Sequence, residues 1–392
     1  MVAPDTRSVA DWLMDGARSA GEPQQVLAEI CERLTRCGIP LWRVAVFVQT
    51  LHPDIVGRRL LWRQGVPVEI STFSYAGLSS EEFLKSPVKQ VYDTGTPIRR
   101  RLADPGRPDD FPILAELRAE GITDYLASPL IFTDGAVQVV TNTTRQPGGF
   151  TEGEIAGLEA ILLPLARVTE IRSIRRLTGN LLDTYVGHHA GERILAGRIR
   201  RGDTEAIDAA IWLSDMRRFT TLADHLPPAT LIGLLNRYFD CQVPAILEAG
   251  GEVLKFMGDG LLAIFPIDGV AVEAVCARAL AAALAAREAV SALSAGHGVA
   301  AAGQLRFGLA LHLGEVLYGN IGGGNRLDFT CIGPAVNLAA RLEKLAGRLG
   351  RTILASGDFA ARCGPGLVPV GDFTLAGFAA TQTVYGRADE SQ

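Results

Sequence analysis

The sequence predicts an α+β protein of two domains joined by a helical linker, and three observations carry that reading. Its 392 residues are many for a single core and comfortable for two. In both halves, strand-like apolar runs alternate with amphipathic helical stretches, and short turns rich in Gly and Asp join neighbouring strands. Between the halves, Ile161, Leu165, Val168, Ile171, Ile174, Leu177 and Leu181 recur every three or four residues, the stripe of a long helix.

Composition narrows the function classes. Hydrophobic residues make up 48% and charged residues 21%, ordinary values for a soluble globular chain. A net charge of −5 lacks the basic excess of a nucleic-acid binder. Cys31, Cys37, Cys241, Cys276, Cys331 and Cys363 form no C-x-x-C pair, so a reducing compartment is expected rather than a zinc or disulfide framework. No basic leader with an apolar core opens the sequence, and no uncharged apolar run reaches about 18 residues. A cytoplasmic protein without a membrane span is expected.

Taken in order, Pro23 to Cys37 reads as a helix with Val26, Leu27, Ile30 and Leu34 on one face, stopped by Gly38. Strand runs follow at Arg43–Val48, Arg59–Trp62 and Val66–Phe73, then a helical stretch from Glu81 to Tyr92. Arg99, Arg100 and Arg101 read as a solvated face, Asp104 to Pro112 as a loop, and His52 as a loop histidine beside Pro53. Asp124–Phe132 and Ala136–Thr141, joined at Asp134-Gly135, make a hairpin. Thr151 and Glu154 form a capping box for a long helix. This order of elements resembles a GAF-type sensory domain, and the resemblance implies a regulatory unit answering a small-molecule or protein signal. The aspartate and lysine pattern of cyclic-nucleotide-binding members is absent, so no ligand is carried over.

Pro164 predicts a kink or boundary in the long helix, and the stripe beyond Arg172 suits a stalk of two chains. Adjacent His188 and His189 would sit about 100° apart on a helix, poor geometry for joint metal binding, and read as linker surface.

In the second half, Ala206–Ser214 reads as a buried strand ending at Asp215, with a helix opening at Met216. A carboxylate at a strand end, followed by free helix amides, suits a hard cation beside phosphate. Pro228 to Leu247 reads as one amphipathic helix. Gly258-Asp259-Gly260 then joins two apolar strands, and Lys255 lies four residues upstream of Asp259. Such a turn is also an ordinary hairpin. Strand–helix–hairpin topology lets Asp215 and Asp259 meet in one sheet, and two carboxylates over a triphosphate suit two Mg²⁺. Val270–Leu293 reads as an Ala-rich helix and Arg306–Gly314 as a strand. Asn337 and Arg341 stand one helical turn apart on one face, a pair suited to a ribose and a charged phosphoryl group or simply to surface hydrogen bonding.

Three stretches, Ser214-Asp-Met-Arg-Arg-Phe-Thr220, Lys255-Phe-Met-Gly-Asp-Gly260 and Phe329-Thr-Cys-Ile-Gly-Pro-Ala-Val-Asn-Leu-Ala-Ala-Arg341, come in the order and at the intervals of class III nucleotidyl cyclases. Residues 205–388 closely resemble that catalytic domain. The resemblance implies a ferredoxin-like βαββαβ core, preceded by the GAF-like domain (1–170) and by a helical linker and transducer segment (171–204). It implies Asp215 and Asp259 as metal ligands for two Mg²⁺ or Mn²⁺, with the backbone of Met216 beside them and Phe219 and Thr220 in the phosphate turn. Lys255 and Thr330 match the adenine-selecting positions, Asn337 the ribose-orienting residue and Arg341 the transition-state arginine. It further implies a homodimer, through the catalytic domain and the linker, in which Lys255, Thr330, Asn337 and Arg341 serve metals held by the other chain.

Arg218 stands where many relatives have Gly, and Ala376 where many have a lysine that reaches the triphosphate. Asn325 occupies the position of the triphosphate arginine, with Arg326 next to it. The expected activity is adenylate cyclase, ATP to 3′,5′-cyclic AMP and pyrophosphate. A guanylate cyclase and a non-catalytic nucleotide-sensing dimer are the alternatives. No Gly-Gly-Asp/Glu-Glu-Phe run supports a diguanylate cyclase.

Overall fold

A computed structural model describes residues 4–103, 110–295, 305–324 and 326–390. The expected loop from Asp104 to Pro112 falls largely outside them. The chain divides into two compact units, Met1–Leu181 and Leu182–Gln392.

The first unit is built on a six-stranded antiparallel sheet of β1 (Arg43–Gln49), β2 (Ile55–Arg63), β3 (Val66–Ser74), β4 (Ile98–Arg101), β5 (Asp124–Ile131) and β6 (Val137–Thr144), in the order β3-β2-β1-β6-β5-β4. Alternation along β1 sends Val44 and Val46 to one face and Ala45 and Phe47 to the other. Helix Pro23–Arg36, entered through a Glu22–Gln25 capping box, covers the first face. Its buried Val26, Leu27, Ile30 and Leu34 join Val44, Val46 and Leu165 in one core. Val88, Val91, Leu114 and Leu117 cover Tyr125, Ala127 and Val139 on the other face.

Two expectations here need correction. The helical stretch from Glu81 to Tyr92 is two helices, Glu81–Leu84 and Pro87–Thr94. Ser86 caps the second by accepting from the Lys89 amide, and Pro87 has no N–H to continue the first. Nor do the three arginines form a solvated face. They belong to β4, where Arg99 lies 2.8 Å from the fully buried carboxylate of Asp124 and Arg100 pairs with Asp110. Pro164 marks the expected boundary between two helices rather than a kink: one helix ends at Ala160, and Pro164 sits in the first turn of the next, Leu162–Val186, where a missing N–H costs nothing. Further along that helix Ile171 is 53% and Ile174 55% exposed.

The second unit holds an eight-stranded sheet of β7 (Thr204–Met216), β8 (Glu252–Met257), β9 (Gly260–Pro266), β10 (Phe307–Gly323), β11 (Arg326–Ile332), β12 (Ile353–Ser356), β13 (Val368–Phe373) and β14 (Gln382–Gly386). The order is β13-β14-β12-β10-β7-β9-β8, with β11 paired to the far half of β10. Central β7 is apolar on both faces, as a doubly covered strand must be. Trp212 and Ala210 pack with helix Val272–Ala295, and Ala310 on neighbouring β10 packs with Leu338, Leu342 and Leu345 of helix Pro334–Leu349.

The expected helix from Pro228 to Leu247 is broken into Pro228–Asp240 and Val243–Glu248. At the break, buried Gln242 accepts from Ser214 Oγ at 2.7 Å, and Pro244 denies the chain an amide. Strand β7 also runs past Asp215, so the next helix opens at Phe219 rather than Met216.

Candidate active site

The hairpin β8–β9 turns on Gly258, at φ +68°, a left-handed angle that glycine adopts without a Cβ penalty. Gly260 pairs with Asp215 across the β7–β9 ladder. A Cβ at Gly260 would lie 3.2 Å from Asp215 Oδ1, so a bare glycine leaves room for that carboxylate. Asp259 is half-buried at the tip rather than exposed, beside Asp215. The Asp215 carboxyl is pushed up to about 7, first by burial, then by the charges of Asp259 and Glu343, against the pull of Arg217. A carboxylate held against its like is a site prepared for a cation.

Sequence reasoning missed Arg217 and Glu343. Glu343 is 4% exposed on the inner face of helix Pro334–Leu349, and Arg217 Nη1 lies 2.7 Å from its carboxylate. Arg217 Nη2 also donates to the Glu343 carbonyl at 3.1 Å. The arginine reaches it through a gap between Gly308 and Gly347, where a Cβ on either would crowd its guanidinium. One signal was available: Glu343 follows Ala339 by four residues and Leu342 by one, which puts it on the apolar face.

Met216 is buried in the core, Phe219 packs against that core, and Thr220 is exposed. Arg218 takes φ +63°, which costs a non-glycine residue roughly 1–2 kcal/mol. Arg218→Gly is therefore expected to raise stability by about 0.5–1 kcal/mol after glycine's own entropy cost, read as an upward shift in thermal unfolding. A lower melting temperature would show that the Arg218 side chain makes a contact worth more than its backbone strain.

Lys255 reaches across to β11, its Nζ 2.9 Å from Asp328 Oδ2. Two residues along β11, on the same side of the strand, Thr330 is 4% exposed and its hydroxyl is buried without a hydrogen-bond partner. Such an orphaned group leaves a position that a ligand atom or a water can fill. Cys331 and Phe329 alternate to the other side and pack with Leu254 and Leu262.

Asn337 and Arg341 are exposed on helix Pro334–Leu349, and among the described residues their side chains make no ion pair or hydrogen bond. Glu343, two residues beyond Arg341, faces Asp215, so Arg341 points about 200° around the helix from it. The chain thus brings together Asp215 with Asp259, and Lys255 with β11, but not Arg341 with its own aspartates. Arg326 is exposed at the start of β11 and Ala376 in a turn; Asn325 lies outside the described residues. Among the described residues no group of three His, Cys, Asp or Glu side chains forms a metal cage. Two carboxylates fit a cation that takes its remaining oxygens from phosphate, as Mg²⁺ does.

Residues 204–356 match the family profile described as the adenylate and guanylate cyclase catalytic domain. Adenylate cyclase 1 of Rhizobium meliloti (strain 1021) is 29% identical over 150 residues, 38% of this chain and 22% of that protein. The adenylate cyclase of Anabaena cylindrica is 34% identical over 148 residues, 37% of this chain and 28% of that protein. Among solved structures, the adenylyl cyclase CyaB from P. aeruginosa is 26% identical, covering 48% of this chain and 98% of that one at a TM-score of 0.43. The matched segment thus spans less than a third of either curated relative. No helix among the described residues is long and apolar enough to cross a membrane.

Proposed function

We propose that the chain is an adenylate cyclase, on the match of residues 204–356 to the adenylate and guanylate cyclase catalytic domain. It converts ATP to 3′,5′-cyclic AMP and pyrophosphate at sites shared between two copies of the chain. The observation that carries the reading is the pairing of Asp215, near the end of β7, with Asp259 on the β8–β9 hairpin, with Lys255 and an unpartnered Thr330 hydroxyl alongside.

Lys255 is a pure donor and suits the ring nitrogen lone pair of adenine, while the Thr330 hydroxyl accepts from its amino group. Asn337 orients the ribose. Its 3′-oxygen attacks the α-phosphorus, forming the O3′–P bond as the bond to the leaving pyrophosphate breaks and the hydroxyl proton departs. The Arg341 guanidinium meets the charge that builds on the phosphoryl oxygens, and Arg326, Phe219 and Thr220 would serve the triphosphate. Mg²⁺ or Mn²⁺, held by Asp215, Asp259 and the Met216 backbone, would acidify the 3′-hydroxyl and offset the charge of the pyrophosphate. Since Arg341 turns away from its own aspartates, a dimer in which each chain's Arg341 serves the other's carboxylates satisfies the geometry.

The same reading treats residues 1–170 as a GAF-like regulatory domain and 171–204 as linker and transducer. It is supported by the helix-covered six-stranded sheet and by the exposed Ile171 and Ile174, which suit a stalk between two chains. Purified protein given ATP or GTP in turn, with Mn²⁺, is expected to release cyclic AMP well ahead of cyclic GMP. Lys255→Glu is expected to lower kcat/KM for ATP by about 10- to 100-fold, the worth of one hydrogen bond to a charged donor, and to narrow the preference. Cyclic GMP as the main product would favour the guanylate cyclase alternative, and no product from either nucleotide a non-catalytic dimer.

A further inference from the structure

The sheet face of the first unit that carries Arg43, Ala45 and Phe47 does not close against its helices. Between that face and the segments Glu81–Leu84, Pro87–Thr94 and Ile113–Ala119 lies a cavity of about 270 Å³. One water takes ~30 Å³ of liquid, and small-molecule pockets begin near ~300 Å³, so the space suits a compact organic ligand. Its apolar lining mixes aliphatic side chains with aromatic ones, Phe47 on the floor and Phe73, Phe83 and Tyr92 around it.

The charges are uneven. Arg59 stands opposite Phe47 in the β1–β2 register and rises from the same floor. Its guanidinium donates to Ser71 Oγ at 3.2 Å, its Nε is buried without an acceptor, and no carboxylate pairs with it among the described residues. Arg43, on the same floor, has Glu120 at 3.6 Å. Burial holds the Arg43 guanidinium below its usual range; Glu120 opposes that, and the charges of Arg63 and Arg59 reinforce it. Lys85 at the rim is already matched by Glu81 at 2.5 Å. Glu82 and Glu116 also line the space, but neither forms an ion pair with Arg43 or Arg59. Two half-buried guanidiniums share one cavity floor; Arg43 has only Glu120 and Arg59 has no carboxylate among the described residues, so an anion that enters stabilises them.

We propose that this cavity binds a small organic carboxylate with a flat ring, its charge held by Arg59 and Arg43 and its ring against Phe47 and Phe73. The Arg fork matches a planar carboxylate with two parallel hydrogen bonds, and the aromatic walls take the ring.

The test is isothermal titration of the full-length protein with three acid and amide pairs: benzoate and benzamide, 4-hydroxybenzoate and its amide, indole-3-acetate and its amide. At least one acid is expected to bind at one site per chain, tenfold or more tighter than its amide. Arg59→Met keeps the apolar stem and is expected to weaken that acid at least tenfold while sparing the amide. Arg18→Met, on an exposed side chain outside the cavity, should change neither. The proposal is overturned if no acid binds at millimolar concentration, if acid and amide bind alike, or if Arg59→Met retains the preference. The wild-type comparison of acid with amide decides the matter even if Arg59→Met fails to fold. All readouts are heats of binding, so failure here leaves the cyclase reading untouched, and the converse holds.

Discussion

Asp215→Ala and Asp259→Ala are each expected to lower cyclic AMP formation by about 10³-fold or more, roughly 4 kcal/mol of lost transition-state stabilisation, while the chain stays folded. Folding survives because the two carboxylates oppose rather than support it. The Asp215 carboxyl is raised from 3.8 to about 7, with burial the first cause and Asp259 the second. Between those values the folded protein keeps a proton that the unfolded chain has released. Metal-free stability therefore falls as pH climbs from about 4 to about 7, the reverse of an ion-paired aspartate. Mg²⁺ binds only the folded pair and should recover that loss by mass action. Asp215→Asn should flatten the pH dependence and abolish the response to Mg²⁺. Melting curves at pH 5 and pH 8, with chelator and then with Mg²⁺, read all of this. A wild-type protein that gains stability toward pH 8 without metal, and nothing from Mg²⁺, would falsify the carboxylate-pair account.

Mixing two inactive variants is expected to restore activity. Asp259→Ala lacks a metal ligand but keeps Arg341, and Arg341→Ala keeps the aspartates. In a symmetric dimer half of randomly mixed pairs are heterodimers, each with one complete site, so about a quarter of wild-type activity should return. The structural ground is the orientation of Arg341, turned about 200° around its helix from Glu343, which faces Asp215. A single-chain site would show no recovery at any mixing ratio. Cyclic AMP measured against total protein, for each variant alone and for the mixture, separates the two.

Much of the second unit was readable because its signals are local. Continuous apolar runs mark β7 and β9, and Gly258 marks the β8–β9 hairpin, so the meeting of Asp215 with Asp259 followed from topology alone. What escaped depended on contacts far apart in sequence. The Arg217–Glu343 pair spans 126 residues and has no periodicity to announce it. The break at Gln242 is set by a hydrogen bond to Ser214 on a distant strand. Three successive arginines look solvated until an edge strand turns Arg99 inward onto buried Asp124. The Lys255–Asp328 pair likewise needs β11 to curl back toward β8. In the first unit, Pro87 was visible, but local pattern did not say whether Ser86 would end one helix or cap the next.

The Arg217–Glu343 link would also constrain how the proposed dimer is switched. It fastens the end of the aspartate strand to the helix that displays Asn337 and Arg341, through a slot that two glycines keep open. In the proposed dimer each copy would therefore carry its half of both sites as one stiff block. The adjustable coordinate of that dimer would then be the rotation and spacing of one block against its twin. A signal arriving along the linker would work like a wrench on a hinge between copies, leaving the chemistry inside each copy unaltered.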